Sequence, residues 1–332
     1  YLGGVRVEDT VVDSWGWVRA RRLSTAAEQT ANPVESARRD YENNFRRIEG
    51  DYRKAFPSIH AYHDVTSNLK VRLSYSTSFG RAGLGNFLPT ETPDETNQRV
   101  TVNNPGLKPQ TSTNWDASLE YYFEPVGQLS VGWFHKEIRD FIVSNQEVGT
   151  IGIGPDNGYN GEYEGWTERT SINAGTAIAQ GWEFSYRQQF TFLPGLLRGL
   201  SGSFNYTWID THGLYSGNVY RTRREVAGFI PHAANASLSW RHRAFSARVL
   251  YNFTGEYIDS FDAANPALRL YRMSMKTVNV GFSYQLRQSV GLSLDVANLF
   301  NEPQVFYRGV KSRPQRQLYN FVTITAGVNG RF

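Results

Sequence analysis

Aromatic and arginine side chains in glycine-rich polar stretches are the residues of this sequence best suited to contact a solute. Aromatic faces stack on sugar rings or flat chelates, and an arginine pairs with anionic groups. Glycine-rich neighbours allow such loops to close over what they bind. We therefore predict ligand contact through five residues, with loop packing as the alternative role for each: Arg81, Tyr159, Tyr163, Trp166 and Tyr215.

The sequence patterns that could indicate catalysis or a metal centre have the wrong spacing or the wrong neighbouring structure. His60 and His63 lie three positions apart, so on a strand they point to opposite faces and cannot share a metal. The glycines from Gly149 to Gly158 lack the preceding strand and following helix of a phosphate-binding loop. No nucleophile elbow joins Ser, His and Asp, and cysteine is absent. We predict that the chain is not an enzyme and holds no cofactor or metal.

The composition is typical of strands that show one face to lipid and the other to water. The 332 residues are 40% hydrophobic and 14% aromatic, and the mean hydropathy of -0.49 is too polar for a helical membrane protein. No run approaches the roughly 18 apolar residues of a spanning helix. The formal charge of +4, from 35 Lys+Arg against 31 Asp+Glu, is too small to indicate binding to nucleic acid.

The last stretch of the chain alternates strictly between apolar and polar or small side chains. Apolar or small residues on one side of the predicted strand are Val322, Ile324, Ala326, Val328, Gly330 and Phe332. Polar or small residues on the other side are Thr323, Thr325, Gly327, Asn329 and Arg331. Because about 9–11 residues cross a bilayer obliquely as a strand, this stretch predicts the closing strand of a membrane barrel, with its apolar side facing lipid.

The same alternation recurs in about twelve segments and predicts an all-β fold, a transmembrane antiparallel β-barrel. The connections alternate long and short, as in outer-membrane barrels with short periplasmic turns and longer extracellular loops. Loops are predicted at about residues 11–49, 80–110, 144–168, 210–231, 254–267 and 300–317, the first with a short helix over Ala26–Arg39. A soluble β-sandwich also alternates, but its connections need not alternate in length.

Several motifs resemble the C-terminal half of TonB-dependent outer-membrane receptors. The matching stretches are Phe56–Ser58, Asn104–Pro109, Glu120–Phe123, Phe134–Lys136, Gly181–Glu183 and, most specific, Asn298–Asn301 combined with the terminal Phe332. The resemblance implies a barrel of about 22 strands closed by an N-terminal plug, in the outer membrane of a bacterial cell. It implies active import of a scarce, bulky nutrient (a ferric siderophore, a saccharide or cobalamin) with energy from the TonB complex.

On this interpretation, residues 1–332 are one partial barrel domain, and we expect further strands and the plug to be encoded before Tyr1. The implied partners are outer-membrane lipid, the nutrient, the TonB complex through the missing N-terminal region, and the barrel-assembly machinery through the terminal strand with Phe332. Two alternatives stay open. One is a self-contained channel or autotransporter-like barrel, and the other is an outer-membrane hydrolase with catalytic residues clustered at one rim.

Overall fold

A computed structural model of the chain describes residues 1–18, 24–173, 175–213, 226–260 and 265–330. Within these ranges lie two α-helices, α1 (Ala26–Ala31) and α2 (Pro33–Tyr41), and short 3-10 turns at Glu42–Asn44, Leu84–Phe87, Gly195–Gly199 and Pro266–Leu268. The strands, in chain order, are β1 (Leu2–Trp17), β2 (Phe45–Asp64), β3 (Leu69–Gly80), β4 (Glu91–Asp94), β5 (Arg99–Val102), β6 (Gln110–Phe123), β7 (Gly127–Arg139), β8 (Ile142–Thr150), β9 (Thr167–Asn173), β10 (Thr176–Gln189), β11 (Leu200–Gly213), β12 (His232–His242), β13 (Phe245–Thr254), β14 (Tyr257–Ser260), β15 (Leu270–Arg272), β16 (Met275–Arg287), β17 (Val290–Ala297), β18 (Gln304–Arg308), β19 (Pro314–Leu318) and β20 (Thr323–Gly330).

Twelve of the strands form one continuous sheet, the main sheet, in which chain neighbours pair. Its order is β1-β2-β3-β6-β7-β10-β11-β12-β13-β16-β17-β20, and the pairs are antiparallel. The predicted all-β fold class and the predicted count of about twelve alternating strands are therefore confirmed.

The register aligns apolar side chains in rows on one side of the main sheet, which we call the apolar face. Trp182 lies opposite Trp133 on β7 and opposite Trp208 on β11. A second row crosses four strands as Val249, Val280, Val296 and Ile324. These side chains are large and solvent-accessible, with Ile324 67% exposed. The alternate residues make up the polar face, where Ser203 Oγ lies 2.6 Å from Ser237 Oγ.

All the long connections leave the main sheet at one end, as predicted from their alternation with short turns. The short connections, at the opposite end, are residues 65–68, 124–126, 190–199, 243–244 and 288–289. We call the two ends the long-loop end and the short-turn end. No helix in the described part of the chain is long and apolar enough to cross a membrane.

The predicted loop over residues 11–49 is wrong at both ends, because β1 and β2 continue through it as a paired ribbon from Asp9 opposite Arg53 to Trp17 opposite Phe45. Asp13 accepts from Arg47 at 3.0 Å within this ribbon. Asp9 and Asp13 share one face of β1 with the exposed Val11 and Trp15, so the strict separation of apolar and polar sides on which the prediction relied is lost there.

The predicted helix over Ala26–Arg39 is two helices, since α1 ends before Asn32 and α2 begins at Pro33. Proline lacks the amide proton that a continuous helix would need at that position. Thr25 caps α1 in a reciprocal arrangement with Glu28. The helices lie between the two strands of the ribbon in sequence.

Two small sheets within the long loops were not predicted. The first loop sheet has the order β4-β5-β9-β8, and β5 runs parallel to β9. The second loop sheet has the order β14-β15-β18-β19. Each sheet pairs strands from two different loops, so no local hairpin pattern in the sequence indicates the complete sheet.

Candidate ligand-binding loops

A buried cluster of side chains holds the first loop sheet together. Val100 on β5 is 0% exposed, and Ile151, Tyr163 and Trp166 come from the connection between β8 and β9. The ring centroids of Tyr163 and Trp166 are 5.4 Å apart, and Tyr159 packs edge-on against Tyr163, also at 5.4 Å. The backbone closes the same unit, since the Ile151 amide donates to the Trp166 carbonyl at 2.8 Å.

Two of the predicted ligand-contact residues therefore lie in a loop core. Tyr163 is 1% exposed and Trp166 is 6% exposed. This is the packing role named as the alternative in the sequence analysis. Their contact with a ligand stays a prediction, and in this structure these two side chains shape the loop rather than line its surface.

The phenol of Tyr159 lies in an acidic environment. Burial raises the pKa of Tyr159, and the carboxylates of Glu168 and Glu91 raise it further. Burial also raises the pKa of Glu91 on β4. The Tyr159 hydroxyl is thus held protonated, and Glu168 is its hydrogen-bond acceptor.

Arg81 lies at the long-loop end of β3, where its guanidinium joins three strands. Nε donates to the Tyr52 hydroxyl at 2.9 Å, and Nη2 donates to Glu8 Oε2 at 2.9 Å and to Thr10 Oγ1 at 3.1 Å. The hydrogen bond to Tyr52 raises the pKa of Arg81. Arg81 also lies over the Phe79 ring, 4.7 Å from its centroid. The contacts of Arg81 fasten the ribbon of β1 and β2 to β3.

The second loop sheet carries a row of alternating aromatic and arginine side chains that the sequence analysis missed. Tyr257 on β14 lies opposite Arg272, which lies opposite Phe306, which lies opposite Arg316. The Arg316 guanidinium carbon is 4.2 Å from the Phe306 ring centroid, and Arg272 Nη1 donates to the Tyr257 hydroxyl at 3.2 Å. The basic composition of residues 308–316 could have indicated a cluster of positive charge. Nothing local in the sequence indicates that β18 pairs with β15.

Two other predicted residues, Tyr215 and Phe332, lie outside the described residues. Their predicted roles in ligand contact and in barrel assembly stay predictions.

Within the described ranges, no group of three His, Asp or Glu side chains is placed to hold a metal ion. His60 lies opposite Ser74 and His63 lies opposite Val71, so they fall on the polar and apolar faces respectively.

Comparison with known proteins agrees with this architecture. The family model described as "TonB dependent receptor-like, beta-barrel" matches residues 2–299. No curated protein sequence matches the chain.

Solved structures resemble the chain in fold. A ferric enterobactin receptor (PfeA) mutant from Pseudomonas aeruginosa is 16% identical, with a TM-score of 0.60, over 87% of this chain and 42% of that one. The ferric-catecholate import receptor Fiu from E. coli is 14% identical, with a TM-score of 0.62, over 99% and 42%. The copper transporter OprC is 14% identical, with a TM-score of 0.57, over 86% and 40%. The chain thus spans about two fifths of the length of these proteins.

Proposed function

Because the chain belongs to the TonB-dependent receptor β-barrel family, we propose that it forms part of the wall of an outer-membrane receptor that imports a scarce, bulky nutrient with energy supplied by TonB. Proteins of this family and the solved structures that the chain resembles are transport receptors and not enzymes. The proposal rests on one observation: the main sheet has a continuous apolar face, and its long connections all leave at the same end. That arrangement suits a wall with lipid on one side and nutrient-capturing loops outside the cell.

In this proposal, residues 1–332 are one segment of a barrel domain. β1 and β20 stand at the two ends of the strand order in the described residues. Unpaired strand edges are costly in hydrocarbon, so each edge needs a neighbouring strand. We expect that neighbour to be a further strand of the same receptor, that the TonB complex acts through a region outside these residues, and that assembly machinery engages the terminal strand with Phe332.

The nutrient would be a ferric siderophore, a saccharide or cobalamin, and the long loops would capture it. Tyr163 and Trp166 would set the shape of the first loop sheet, and Tyr159 would present its hydroxyl there. Arg81 and Tyr215 remain candidates for contact at the long-loop end. Removal of residues 149–165 without loss of nutrient binding would count against this placement.

Uptake in intact cells tests the proposed function. Cells with and without the gene receive a labelled ferric siderophore, an oligosaccharide or cobalamin, in the presence and absence of a functional TonB complex. We expect one of these to enter only when both the protein and TonB are present. Uptake that persists without TonB, or a steady ion conductance from the protein in planar bilayers, would support the self-contained channel instead.

A further inference from the structure

The connection between β10 and β11 is longer and more apolar than the other connections at the short-turn end. It covers residues 190–199, whereas the others are residues 65–68, 124–126, 243–244 and 288–289. Connections that meet water carry mainly polar residues, but the apolar residues of this one are Phe190, Phe192, Leu193, Leu196 and Leu197. We call residues 190–199 the apolar turn.

The apolar turn folds back against the apolar face of the main sheet. A Cβ added at Gly202 would lie 3.1 Å from the Phe190 ring, and Gly202 lies opposite Leu238 on β12. Trp240, two positions beyond Leu238 and so on the same face, donates from Nε1 to the Leu196 carbonyl at 2.8 Å. These contacts make the apolar turn an extension of the apolar face beyond the ends of the strands.

The outer part of the apolar turn is exposed. Phe192 is 61% exposed, Leu196 is 58% exposed and Leu197 is 50% exposed. The ring of Phe192 stands edge-on to Phe190, with 6.0 Å between the ring centroids, so the exposed side chain is fastened to the packed one. Removal of apolar area from water is favourable by about 25 cal/mol per Å². The patch therefore suits a partner that is itself apolar.

A charged side chain stands next to this apolar patch. Arg198 follows Leu197 in the chain and is exposed. In the part of the chain that the structure describes, its guanidinium makes no ion pair. Guanidinium groups bind phosphate in bidentate geometry. Leu and Phe side chains beside an arginine are typical of segments that lie at the boundary between hydrocarbon and lipid head groups.

We propose that the apolar turn enters the lipid leaflet at the short-turn end, and that Arg198 binds the phosphate of an anionic phospholipid there. A phospholipid fits because it offers acyl chains to Phe192, Leu196 and Leu197 and a phosphate to Arg198. The apolar turn also continues the face that meets hydrocarbon in the proposed receptor. The proposal rests on the proposed function for that assignment of the faces, and it adds a lipid site built by a connection rather than by a spanning strand.

The test of insertion uses single cysteines, because the sequence has none of its own. An environment-sensitive dye is attached to Leu197→Cys, and the protein is placed in vesicles of phosphatidylcholine and phosphatidylglycerol with iodide on both sides. We expect nitroxide-labelled lipid to quench the dye at residue 197, and iodide to leave it unquenched. Ser289→Cys, in the connection 288–289 at the same end, is the matched control and should show the reverse.

The same dye on Ile324→Cys separates a failure of this proposal from a failure of the proposed function. A dye shielded from iodide at residue 324 but open to it at residue 197 would overturn the lipid site alone. Dyes open to iodide at both residues would overturn the lipid site together with the assignment of the faces. Shielding at residue 197 that occurs only in native membrane fragments, and not in pure lipid, would overturn it in favour of a protein partner.

The phosphate contact is tested by the affinity of the protein in detergent for fluorescent phosphatidylglycerol relative to phosphatidylcholine. Arg198→Gln should reduce this preference about fivefold, as expected for one basic side chain at a lipid surface. Arg187→Gln is the control, since Arg187 lies at the same end but opposite Ser203 on the polar face. The proposal is overturned by no loss in Arg198→Gln, by an equal loss in Arg187→Gln, or by inorganic phosphate that competes as strongly as the lipid.

Discussion

The guanidinium of Arg248 on β13 reaches across the intervening strand to Asp295 on β17, with 2.7 Å between Nη2 and Oδ1. Gly281 on β16 lies directly opposite both residues. A Cβ at Gly281 would lie 2.6 Å from Asp295 Oδ1 and 2.7 Å from Arg248 Nε. A side chain at this position would therefore displace both members of the ion pair from their present geometry.

Gly281→Val should lower the free energy of unfolding by about 0.2–1 kcal/mol, the range for an ion pair that faces water, because the new side chain pushes the two flexible charged groups apart. Urea unfolding in lipid vesicles measures the change. Gly4→Val is the control, because no other atom lies within 4 Å of a Cβ there. An equal loss in both variants would contradict the role of the ion pair.

Trp166→Ala should open the first loop sheet. Removal of a buried tryptophan costs about 3–5 kcal/mol through lost burial and the cavity left behind, and Trp166 is 6% exposed. Hydrogen exchange of β5 and β9 should quicken while exchange of the main sheet stays unchanged. Ile153→Ala, in the same connection but 89% exposed, should leave exchange unaltered. Unchanged exchange in the Trp166 variant would show that the cluster does not hold this sheet.

Two acidic residues of β4 should make the stability of the first loop sheet depend on pH in opposite directions. Burial raises the pKa of Glu91 above its usual 4.5, so its contribution to stability is greatest below that value and is lost as pH rises through the folded-state pKa. Hydrogen bonds from the Asn97 side chain and backbone lower the pKa of Asp94, so its contribution is present at higher pH and is lost as pH falls.

Hydrogen exchange of residues 91–102 from about pH 3 to about pH 8, corrected for intrinsic exchange rates, separates the two effects. Glu91→Gln should reduce the loss of protection on the rise toward neutral pH. Asp94→Asn should reduce the loss on the fall toward acid. The same change of profile in both variants would contradict the two assigned causes.

Arg81→Gln should loosen the ribbon of β1 and β2 that extends beyond the pairing of β2 with β3. The change removes the hydrogen bonds to Glu8, Thr10 and Tyr52. Limited proteolysis within residues 9–17 and 45–53 should quicken. Arg53→Gln is the control, since the ion pair that Arg53 makes among the described residues is with the exposed Asp9, at 3.4 Å. If proteolysis stays unchanged while nutrient binding falls, the ligand-contact role predicted from sequence is the better account of Arg81.

The sequence predicted the main sheet well because each spanning strand has to separate an apolar side from a polar side. Val280 and Val296 carry that signal locally, within single strands. The ribbon between Asp9 and Arg53 was missed because polar and apolar side chains are mixed on one of its faces, where Asp13 lies between Val11 and Trp15. Pairing in the loop sheets was missed because it joins distant segments, as where Arg99 meets Thr167.

For Tyr163 and Trp166, the sequence offered both ligand contact and loop packing, and it could not decide between these two roles. Tyr163 and Trp166 were correctly placed in a long loop, but their burial depends on Val100 from another loop. For Arg81 the partner Glu8 is 73 residues away in the chain, and no local pattern indicates it. The arginine row of the second loop sheet likewise appears only once β15, β18 and β19 are paired.

In the proposed receptor, the apolar face meets lipid and the polar face meets the lumen. Ile324 and Thr325 are neighbours on β20, where Ile324 lies opposite Val296 and Thr325 lies opposite Asp295. The free energy of unfolding in lipid vesicles, measured for Ile324→Arg and Thr325→Arg, tests this assignment of the two faces. We predict a loss of about 2–4 kcal/mol for Ile324→Arg, because the charge enters hydrocarbon, and a far smaller loss for Thr325→Arg. Equal losses in the two variants would contradict the assignment of the faces.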